Sequence, residues 1–424
     1  MIVSPRKVCV VVNSRANYGR IKSFLRAASD HPDLQLQLIV GASALLYRFG
    51  SAIDIIRGDG FEPLAIVHSV VDGETPVTMA KSVGLGTIEL ATHFEALKPD
   101  VVLTVADRFE TIATAIAASY MNIPVAHTQG GEVTGSIDEN VRHAITKLSH
   151  IHFPATERGR DFLLRMGEQP DTIHVTGCPS IDVLVDTDLS LPANIFARNR
   201  GVGAELDVSK PFVMVLQHPV TTEYGEGLAQ IEATLEAVDR IGRQGMQVIW
   251  LWPNADAGSD DVAKGLRVFR ENNSPDYLHL YRNFSPEDYA RLLNNTACMI
   301  GNSSSGLRES AFLGTPSVNI GTRQRGRDRA LNVVDAPHNA DAIYNAIKRQ
   351  LAQSRYPRSL LFGDGGSGKR IAEILATAPL RLEKSLSYLD APGERPSAKL
   401  RSVIDAECIY AQHQFSGGQA DDSQ

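Results

Sequence analysis

The sequence predicts an α/β protein with two doubly wound domains that face each other across a cleft. Short runs rich in Val, Ile and Leu alternate with segments of helical periodicity in the first half, and the second half repeats this alternation. Because the apolar runs are continuous, they are typical of parallel strands that helices cover on both faces. The length of 424 residues allows two such domains, each with its own core.

The predicted strands and helices follow one another in regular order. In the first half, strands are predicted at 7–13, 34–40, 64–68, 100–106, 124–127 and 151–154. Helices are predicted between them at 18–29, 77–97, 109–121, 138–149 and 157–166. In the second half, strands are predicted at 212–217, 247–251, 277–281, 298–301 and 317–320. Its helices are predicted at 227–242, 263–272, 286–294, 304–313 and 340–353.

Changes in periodicity suggest the domain boundaries. Residues 1–185 form the first predicted domain, and 211–379 form the second. The segment 186–210 has weak periodicity and is predicted to be a linker. The pattern weakens again at 380–424, whose small and polar end predicts a partly disordered tail.

Composition excludes several classes of partner. The net charge of −7 leaves no general basic field for nucleic acid, so an anionic ligand must be held by locally placed arginines. The four cysteines are scattered without metal-ligand or CxxC spacing, and we expect a reduced, cytoplasmic protein. No apolar segment is long enough to span a bilayer, and the first apolar run is too short for a secretory signal, so no membrane association is expected.

Polar residues follow several predicted strands, at the edge where parallel sheets gather ligand-binding groups. Any one of them is better explained as a strand-end turn. Their occurrence after strands of both halves instead favours a site that is split across the cleft. These residues are Asn13–Arg15, Asp107, Arg108, Gly130–Glu132, His218, Trp252–Asn254 and Asn302–Ser305.

A glycine- and serine-rich segment, 301–306, lies between an apolar strand and a predicted helix. Backbone N–H groups and hydroxyls at such a point can hold a phosphate, although a plain serine N-cap fits equally well. Four arginines follow the next strand, and their cluster would complement a diphosphate or form a solvated basic loop. The two features together favour phosphate binding. The arginines are Arg323, Arg325, Arg327 and Arg329.

A second candidate segment carries acids and bases, among them His127, Glu132 and Asp138. Buried acids near histidines and arginines can have shifted pKa values that suit proton transfer. The simpler alternative is a helical ion pair between Asp138 and Arg142. No HExxH or Cys/His spacing supports a metal site. The absence of GxGxxG after the first strand and of a Walker A motif argues against nicotinamide enzymes and P-loop NTPases, and no cofactor is expected.

As a set, these motifs resemble the hydrolysing UDP-N-acetylglucosamine 2-epimerases that feed sialic- and legionaminic-acid-type sugar synthesis. The resemblance runs from about Val8 to Leu375. It implies a GT-B architecture of two Rossmann-like domains and a homodimer or homotetramer. It also implies that UDP is eliminated across C1–C2 to give a glycal, to which water adds, releasing an N-acetylmannosamine-type sugar. The motifs that carry it lie at 14–18, 107–109, 127–135, 137–147, 177–180, 217–222, 253–259, 301–304 and 321–324.

The resemblance also implies roles for individual residues. It implies proton transfer by Asp107 and Asp138, and a diphosphate-side contact by His218 that makes it a candidate catalytic residue. The residues expected to bind the nucleotide sugar are Arg15, Arg108, Asn254, Ser303, Ser304, Ser305, Glu309 and Arg323.

One position departs from the family pattern. Many members have Glu where this chain has Gln129, and an amide cannot shuttle a proton. Glu132 could take that role, Asp107 and Asp138 could suffice, or the substrate could be GDP-N-acetylglucosamine or a UDP-2,4-diacetamido sugar. Gln129 and Glu132 therefore stand among the candidate catalytic residues. A GT-B glycosyltransferase and an inactive nucleotide-sugar sensor are the alternatives from other classes.

Overall fold

The structure, a computed structural model, describes residues 4–387. The predicted disordered tail therefore lies largely outside the described residues. Two separate sheets, of six and seven strands, confirm the α/β class. Within residues 4–387, no helix has both the length and the apolar character needed to cross a membrane.

The first sheet is parallel throughout, with the order β3-β2-β1-β4-β5-β6. Successive strands spread outward from β1 on one side and from β4 on the other, so the order reverses between these two strands. Ligand crevices form outside the carboxyl ends of strands at such a reversal. The strands are β1 (Arg6–Val12), β2 (Leu34–Gly41), β3 (Ala65–Val67), β4 (Val101–Val105), β5 (Val125–Thr128) and β6 (Ile151–Phe153).

Helices cover both faces of this sheet. Val8, Val10 and Val12 of β1 pack on one face, whereas Cys9 and Val11 pack on the other. Burial on both faces explains the continuous apolar run, and each buried aliphatic side chain contributes about 1.5–3 kcal/mol. The helices are α1 (Arg15–Gly19), α2 (Lys22–Asp30), α3 (Ala52–Gly58), α4 (Pro76–Leu97), α5 (Thr111–Tyr120), α6 (Asp138–Leu148), α7 (Glu157–Arg165) and α8 (Pro179–Asp186).

The second sheet has the order β13-β12-β11-β8-β9-β10-β7, and only its edge strand β7 is antiparallel. Its order reverses between β8 and β11. The strands are β7 (Gly201–Gly203), β8 (Phe212–Leu216), β9 (Gln247–Leu251), β10 (Leu278–Tyr281), β11 (Met299–Gly301), β12 (Ser317–Ile320) and β13 (Val333–Ala336). The helices are α9 (Ile195–Arg198), α10 (Gly227–Gly242), α11 (Ser259–Asn273), α12 (Pro286–Asn295), α13 (Glu309–Leu313), α14 (Ala340–Leu351) and α15 (Ser367–Thr377).

The predicted linker 186–210 is more ordered than its sequence suggests. It contains α9 and the edge strand β7, which pairs with β10. Ile195 and Phe196 of α9 enter the core of the second domain, where the ring of Phe196 meets that of Phe212 edge-on at 5.8 Å. The apolar residues of this segment that pack on the core are too widely spaced to produce a periodic pattern, which is why the sequence predicts a linker; they are Leu191, Ile195, Phe196, Leu206 and Val208.

The last helix corrects the predicted second domain, 211–379. Helix α15 packs against α2 of the first domain, and Ile371 and Leu375 join the core beneath the first sheet. A Cβ atom on Gly368 would lie 2.5 Å from the backbone nitrogen of Phe24, so only glycine permits this approach. The chain thus crosses back to the first domain before the tail begins.

Asp182 of α8 fixes the start of α15, and its removal should destabilise the fold. Its two carboxylate oxygens accept from the backbone N–H groups of Ser367 at 2.9 Å and Gly368 at 2.7 Å. Because Asp182→Ala leaves both donors unpaired, we expect it to lower the free energy of unfolding by about 1–2 kcal/mol. Asp186→Ala on the same helix, at an exposed position, is the control for thermal or urea unfolding. Equal stability of the two variants would contradict this docking of α15.

Candidate active site

One cleft collects the polar strand ends of both domains. Arg15 follows β1 and Asp107 follows β4, at the reversal of the first sheet, while His218 follows β8 and Asn302 follows β11, at the reversal of the second. Apart from Gln129 and Glu132, every predicted site residue lines this cleft. The polar residues along it include Arg15, Arg20, Asp107, Arg108, Thr134, Asp138, Ser180, His218, Asn254, Asn283, Tyr289, Ser303, Ser304, Ser305, Glu309, Arg323, Gln324 and Arg327.

Asp107 is held by three guanidinium groups. It ion-pairs closely with Arg142 of α6, with Arg327 at 3.3 Å and with Arg20 at 3.4 Å. Burial alone would raise the pKa of this carboxyl, but Arg142, Arg20 and Arg327 bring it well below its ordinary value. Asp107 is therefore an anion at neutral pH.

The pKa of Asp138, the first residue of α6, is shifted in the opposite direction, upward. Burial raises its pKa, and the nearby carboxylates Asp107 and Asp256 raise it further, while Arg323 at 3.2 Å opposes them only in part. Asp138 thus retains a proton more readily than Asp107 does. The ion pair that its spacing predicts with Arg142 is absent, because the fully buried Arg142 turns inward to Asp107 and Glu139.

The serine-rich segment differs in shape from its prediction. Ser303 leads into a single 3₁₀ turn, Ser304–Gly306, and α13 begins only at Glu309. The hydroxyl of Ser304 accepts from Arg20 Nη2 at 2.6 Å, although Arg20 belongs to the first domain. The hydroxyl of Ser305 pairs with that of Tyr289. Sequence reasoning missed Arg20 and Tyr289, since nothing in their spacing links them to the serines.

His218 is fixed as a neutral hydrogen-bond donor. Its Nδ1 accepts from the backbone N–H of Asn254 at 3.1 Å, so its proton is assigned to Nε2. Burial lowers the pKa of His218 well below its ordinary value, and Arg323, Arg15 and Arg108 lower it further. A neutral donor in a cleft lined by arginines is suited to an anionic ligand.

Two of the predicted substrate contacts are engaged by protein groups. Arg15 reaches across the cleft to the Asn254 side chain at 3.2 Å and to the backbone carbonyls of Trp252 and Arg282. Arg108 pairs with Glu110 at 2.8 Å and, across the cleft, with Asp256 at 3.1 Å. Both arginines therefore tie the two domains together at the site.

Glu309, the first residue of α13, offers an open acceptor. Within residues 4–387, its buried Oε2 has no hydrogen-bond partner. A buried carboxylate oxygen without a donor is costly, so the position favours a ligand hydroxyl.

Gln129 and Glu132 lie one layer behind the cleft, which corrects their predicted place in it. Gln129 Oε1 accepts from Arg308 Nη1 at 2.8 Å, and its Nε2 lies 3.4 Å from Cys178 Sγ. Glu132 pairs closely with Arg308 and at 3.2 Å with Arg327. Burial alone would raise the pKa of Glu132, but Arg308, Arg327 and Arg142 lower it. Both side chains hold Arg308, which sequence reasoning missed.

The histidines near this segment have structural partners. His127 Nε2 lies 2.8 Å from the carbonyl oxygen of Ala106, and burial lowers its pKa to about 3. His150 Nδ1 accepts from the backbone N–H of Val125 at 3.1 Å. Across residues 4–387, no three His, Cys, Asp or Glu side chains are grouped as a metal site would require.

Comparison with known proteins identifies the family. A family profile described as UDP-N-acetylglucosamine 2-epimerase matches residues 26–376. The chain belongs to the UDP-N-acetylglucosamine 2-epimerase family. It is 33% identical over 375 residues to the UDP-N,N'-diacetylbacillosamine 2-epimerase (hydrolyzing) of Legionella pneumophila, covering 88% of this chain and 97% of that relative. It is 29% identical over 338 residues to the GDP/UDP-N,N'-diacetylbacillosamine 2-epimerase (hydrolyzing) of Campylobacter jejuni, covering 80% and 86%.

Solved structures of this epimerase family share the fold. The UDP-GlcNAc 2-epimerase of Neisseria meningitidis bound to UDP-GlcNAc superposes with a TM-score of 0.70 at 17% identity, covering 87% of this chain and 99% of that one. The Methanocaldococcus jannaschii enzyme, in complex with UDP-GlcNAc and UDP, gives a TM-score of 0.69 at 20% identity, with the same coverage. The GT-B-like arrangement of two Rossmann-like domains is thereby confirmed.

The partners of Gln129 predict that it stabilises the protein rather than transferring protons. Gln129→Ala leaves the buried Arg308 Nη1 without its acceptor, so we expect the free energy of unfolding to fall by about 1.5–3 kcal/mol. Gln129→Glu keeps an acceptor for Arg308 but loses the donor to Cys178 and adds a buried charge, so it should be destabilised less than Gln129→Ala. Urea unfolding measures both, with exposed Gln353→Ala as the control. A Gln129→Ala protein of unchanged stability but greatly reduced turnover would show instead that the residue acts on the substrate.

Proposed function

We propose that this protein is a hydrolysing 2-epimerase that converts UDP-N-acetylglucosamine, or a close analogue, into the free 2-epimeric sugar and UDP. The observation that carries the proposal is the pair Asp107 and Asp138, two buried carboxyls with oppositely shifted pKa values in an arginine-lined cleft. Environments that push two such pKa values apart are suited to separate base and acid roles. The hydrolysing relatives from Legionella and Campylobacter support the same reaction class.

The chemistry explains why two carboxyls are needed. The hydrogen on C2 is not next to a carbonyl, so simple abstraction and return would be very slow. Loss of UDP across C1–C2 gives a glycal, and hydration then places a new hydrogen on C2. Because the configuration at C2 inverts, the hydrogen must leave from one face of the ring and return on the other. We assign removal to the Asp107 anion and return to protonated Asp138.

The opposite wall of the cleft suits the leaving diphosphate. Hydroxyls of Ser303, Ser304 and Ser305, together with Arg20 and the neutral His218, can donate to its oxygens. Arg323 lies between the two centres, 3.2 Å from Asp138 Oδ2 and 3.3 Å from the carbonyl oxygen of Asn302. A diphosphate that drew Arg323 away would raise the pKa of Asp138 further, leaving it protonated for the second step.

Two other nucleotide sugars are candidate substrates. The names of the Legionella and Campylobacter relatives favour a UDP-2,4-diacetamido-trideoxy sugar as the second substrate, and GDP-N-acetylglucosamine is the third. We propose that Glu309, through its open oxygen, accepts from the ribose hydroxyls. We also propose a cytoplasmic homodimer or homotetramer that serves sialic- or legionaminic-acid synthesis without a metal ion. A GT-B glycosyltransferase is less well supported, because sugar transfer needs no base at C2.

Product analysis in deuterated water tests the reaction class. The protein is incubated separately with UDP-N-acetylglucosamine, GDP-N-acetylglucosamine and the UDP-2,4-diacetamido sugar, and products are followed by NMR. We expect free nucleotide and a manno-configured sugar with deuterium at C2 from at least one of them. Asp107→Asn, which keeps the size of the side chain, should lower turnover by at least about 100-fold. Failure to release nucleotide from any of the three, or release only with an added acceptor, would reject the proposal.

The pKa shifts predict a bell-shaped pH profile. Asp107 must be ionised, and its lowered pKa means that activity is lost only as pH falls far into the acid range. Asp138 must be protonated, and its raised pKa means that activity is lost as pH rises through that pKa. Asp138→Asn should remove the alkaline limb of kcat/KM and release UDP with accumulation of the glycal, because protonation at C2 fails. Exposed Glu157→Gln is the control, and an unchanged alkaline limb in Asp138→Asn would contradict the assignment.

A further inference from the structure

A loop of the second domain is seated tightly in the first. This loop, residues 322–328, follows β12, and the carbonyl oxygen of Arg323 accepts from the backbone N–H of Gly135 at 2.9 Å. A Cβ atom on Gly135 would lie 2.1 Å from the carbonyl oxygen of Thr322, and one on Gly326 would lie 2.9 Å from Val133 Cγ1. The two backbones therefore meet with no room for side chains, and the loop has a defined seat.

The outer end of this loop is gripped by the start of α7. Asp328 Oδ2 accepts from the Thr156 hydroxyl at 3.0 Å, and Asp328 Oδ1 pairs with Arg158 Nη1 at 2.6 Å. Arg158 Nη1 also donates to the carbonyl oxygen of Gly326 at 2.9 Å. Thr156 is itself the N-cap of α7, so its orientation is fixed. We call these contacts of Thr156 and Arg158 with Gly326 and Asp328 the clasp.

The inner end of the loop delivers a cation to the acid site. Arg327 is buried, and its Nη2 lies 3.3 Å from Asp107 Oδ2 and 3.2 Å from Glu132 Oε2. Its Nε lies 3.4 Å from the carbonyl oxygen of Val133. Burial lowers the pKa of Arg327 to about 9, so it remains a cation at neutral pH. Asp328, which the clasp holds, and Arg327, which meets Asp107, are therefore neighbours in the chain.

From this geometry we propose that Arg327 is a positioning residue, which the clasp places beside Asp107 so that the base acquires its full set of cations only when the two domains are together. The inference rests on the proposed function, in which Asp107 is the base. The clasp, whose Arg158 is exposed at the protein surface, then influences proton transfer through the single side chain of Arg327.

The groups that surround Asp107 support this role. Arg20 at the end of α1 and Arg142 of α6 face it from its own domain, as do the acids Glu132 and Asp138 and the neutral His127. Of the cations that the described residues place within ion-pair distance of Asp107, Arg327 alone comes from the second domain, while Arg308 of the same domain acts on Asp107 from farther away. Separation of the domains would leave Arg20 and Arg142 in place and remove Arg327 and the more distant Arg308. The pKa of Asp107 would then rise, so the charge on the base is coupled to closure over the substrate.

Arg327→Gln tests the inner end. Loss of one opposite charge should move the acid limb of kcat/KM upward by about one pH unit. We expect kcat to fall by about tenfold while KM changes by less than about threefold, because Arg327 orients the Asp107 carboxylate and does not bind the substrate. Arg327→Lys, which keeps the charge, should return the acid limb most of the way to its wild-type pH. Arg349→Gln removes the same charge from an exposed position on α14 of the same domain and should match wild type.

The clasp is tested from the surface with a matched pair on α7. Arg158 and Arg165 both lie over the ring of Phe162, but only Arg158 contacts Asp328. Arg158→Ala should move the acid limb in the same direction as Arg327→Gln, by a smaller amount, and Arg165→Ala should not. The double variant Arg158→Ala/Arg327→Gln should be no slower than Arg327→Gln alone, since the clasp acts through Arg327. An unmoved acid limb in the single variants, or effects that add in the double variant, would overturn the inference.

Failure of this inference is distinguishable from failure of the proposed function. A wild-type protein that releases no nucleotide from any of the three sugars rejects the function itself. If the wild type is active but neither Arg327→Gln nor Arg158→Ala moves the acid limb of kcat/KM, only the positioning role is rejected. If Arg327→Gln does not fold, Arg158→Ala carries the same test, because the Arg158 side chain is 47% exposed and its loss disturbs no core. Thermal unfolding and UDP binding of each variant identify any that are simply damaged.

Discussion

The site depends on buried ion pairing between the carboxylates of the first domain and guanidinium groups from both. Moving an isolated charge out of water costs several kcal/mol, so Asp107 and Glu132 can stay ionised in the interior only because arginines surround them. Arg142 and Arg20 come from the same domain as these acids, whereas Arg308 and Arg327 come from the other. The network therefore joins the two halves of the protein as well as tuning the acids. The pairs that cross between the domains can form only while the two domains keep this arrangement.

The same arginines give the cleft a charge opposite to that of the whole chain. The protein carries a net charge of −7, yet basic groups outnumber acidic ones along the cleft. The basic residues there are Arg15, Arg20, Arg108, Arg323 and Arg327, and the acidic ones are Asp107, Asp138 and Glu309. A local excess of cations with low-dielectric walls focuses the field on an entering anion. A nucleoside diphosphate sugar would replace protein–protein pairs with charge-assisted hydrogen bonds of its own.

The contacts of Gln129 explain why an amide can occupy this position. The buried Arg308 pairs with Glu132 and takes a neutral acceptor from Gln129 Oε1. The amide also presents a donor to Cys178 Sγ, which a carboxylate could not supply. An amide at this position is therefore compatible with the buried layer, while the proposed base and acid lie in the cleft at Asp107 and Asp138.

Sequence alone determined the α/β class, most strands, and the strand ends at which the site lies. These features can be recognised because the spacing of apolar residues within a short segment differs between buried strands and helices. It also indicated most of the residues that line the cleft, since polar side chains after parallel strands must gather at one edge. The return of α15 to the first domain, the inward turn of Arg142, and the contacts of Arg20, Arg308 and Arg327 were decided only by tertiary structure. These contacts join residues that are far apart in the chain, and no spacing rule encodes which guanidinium meets which carboxylate. The pKa values of Asp107 and Asp138 follow from those contacts, so the proposed division between base and acid could be derived only from the folded protein.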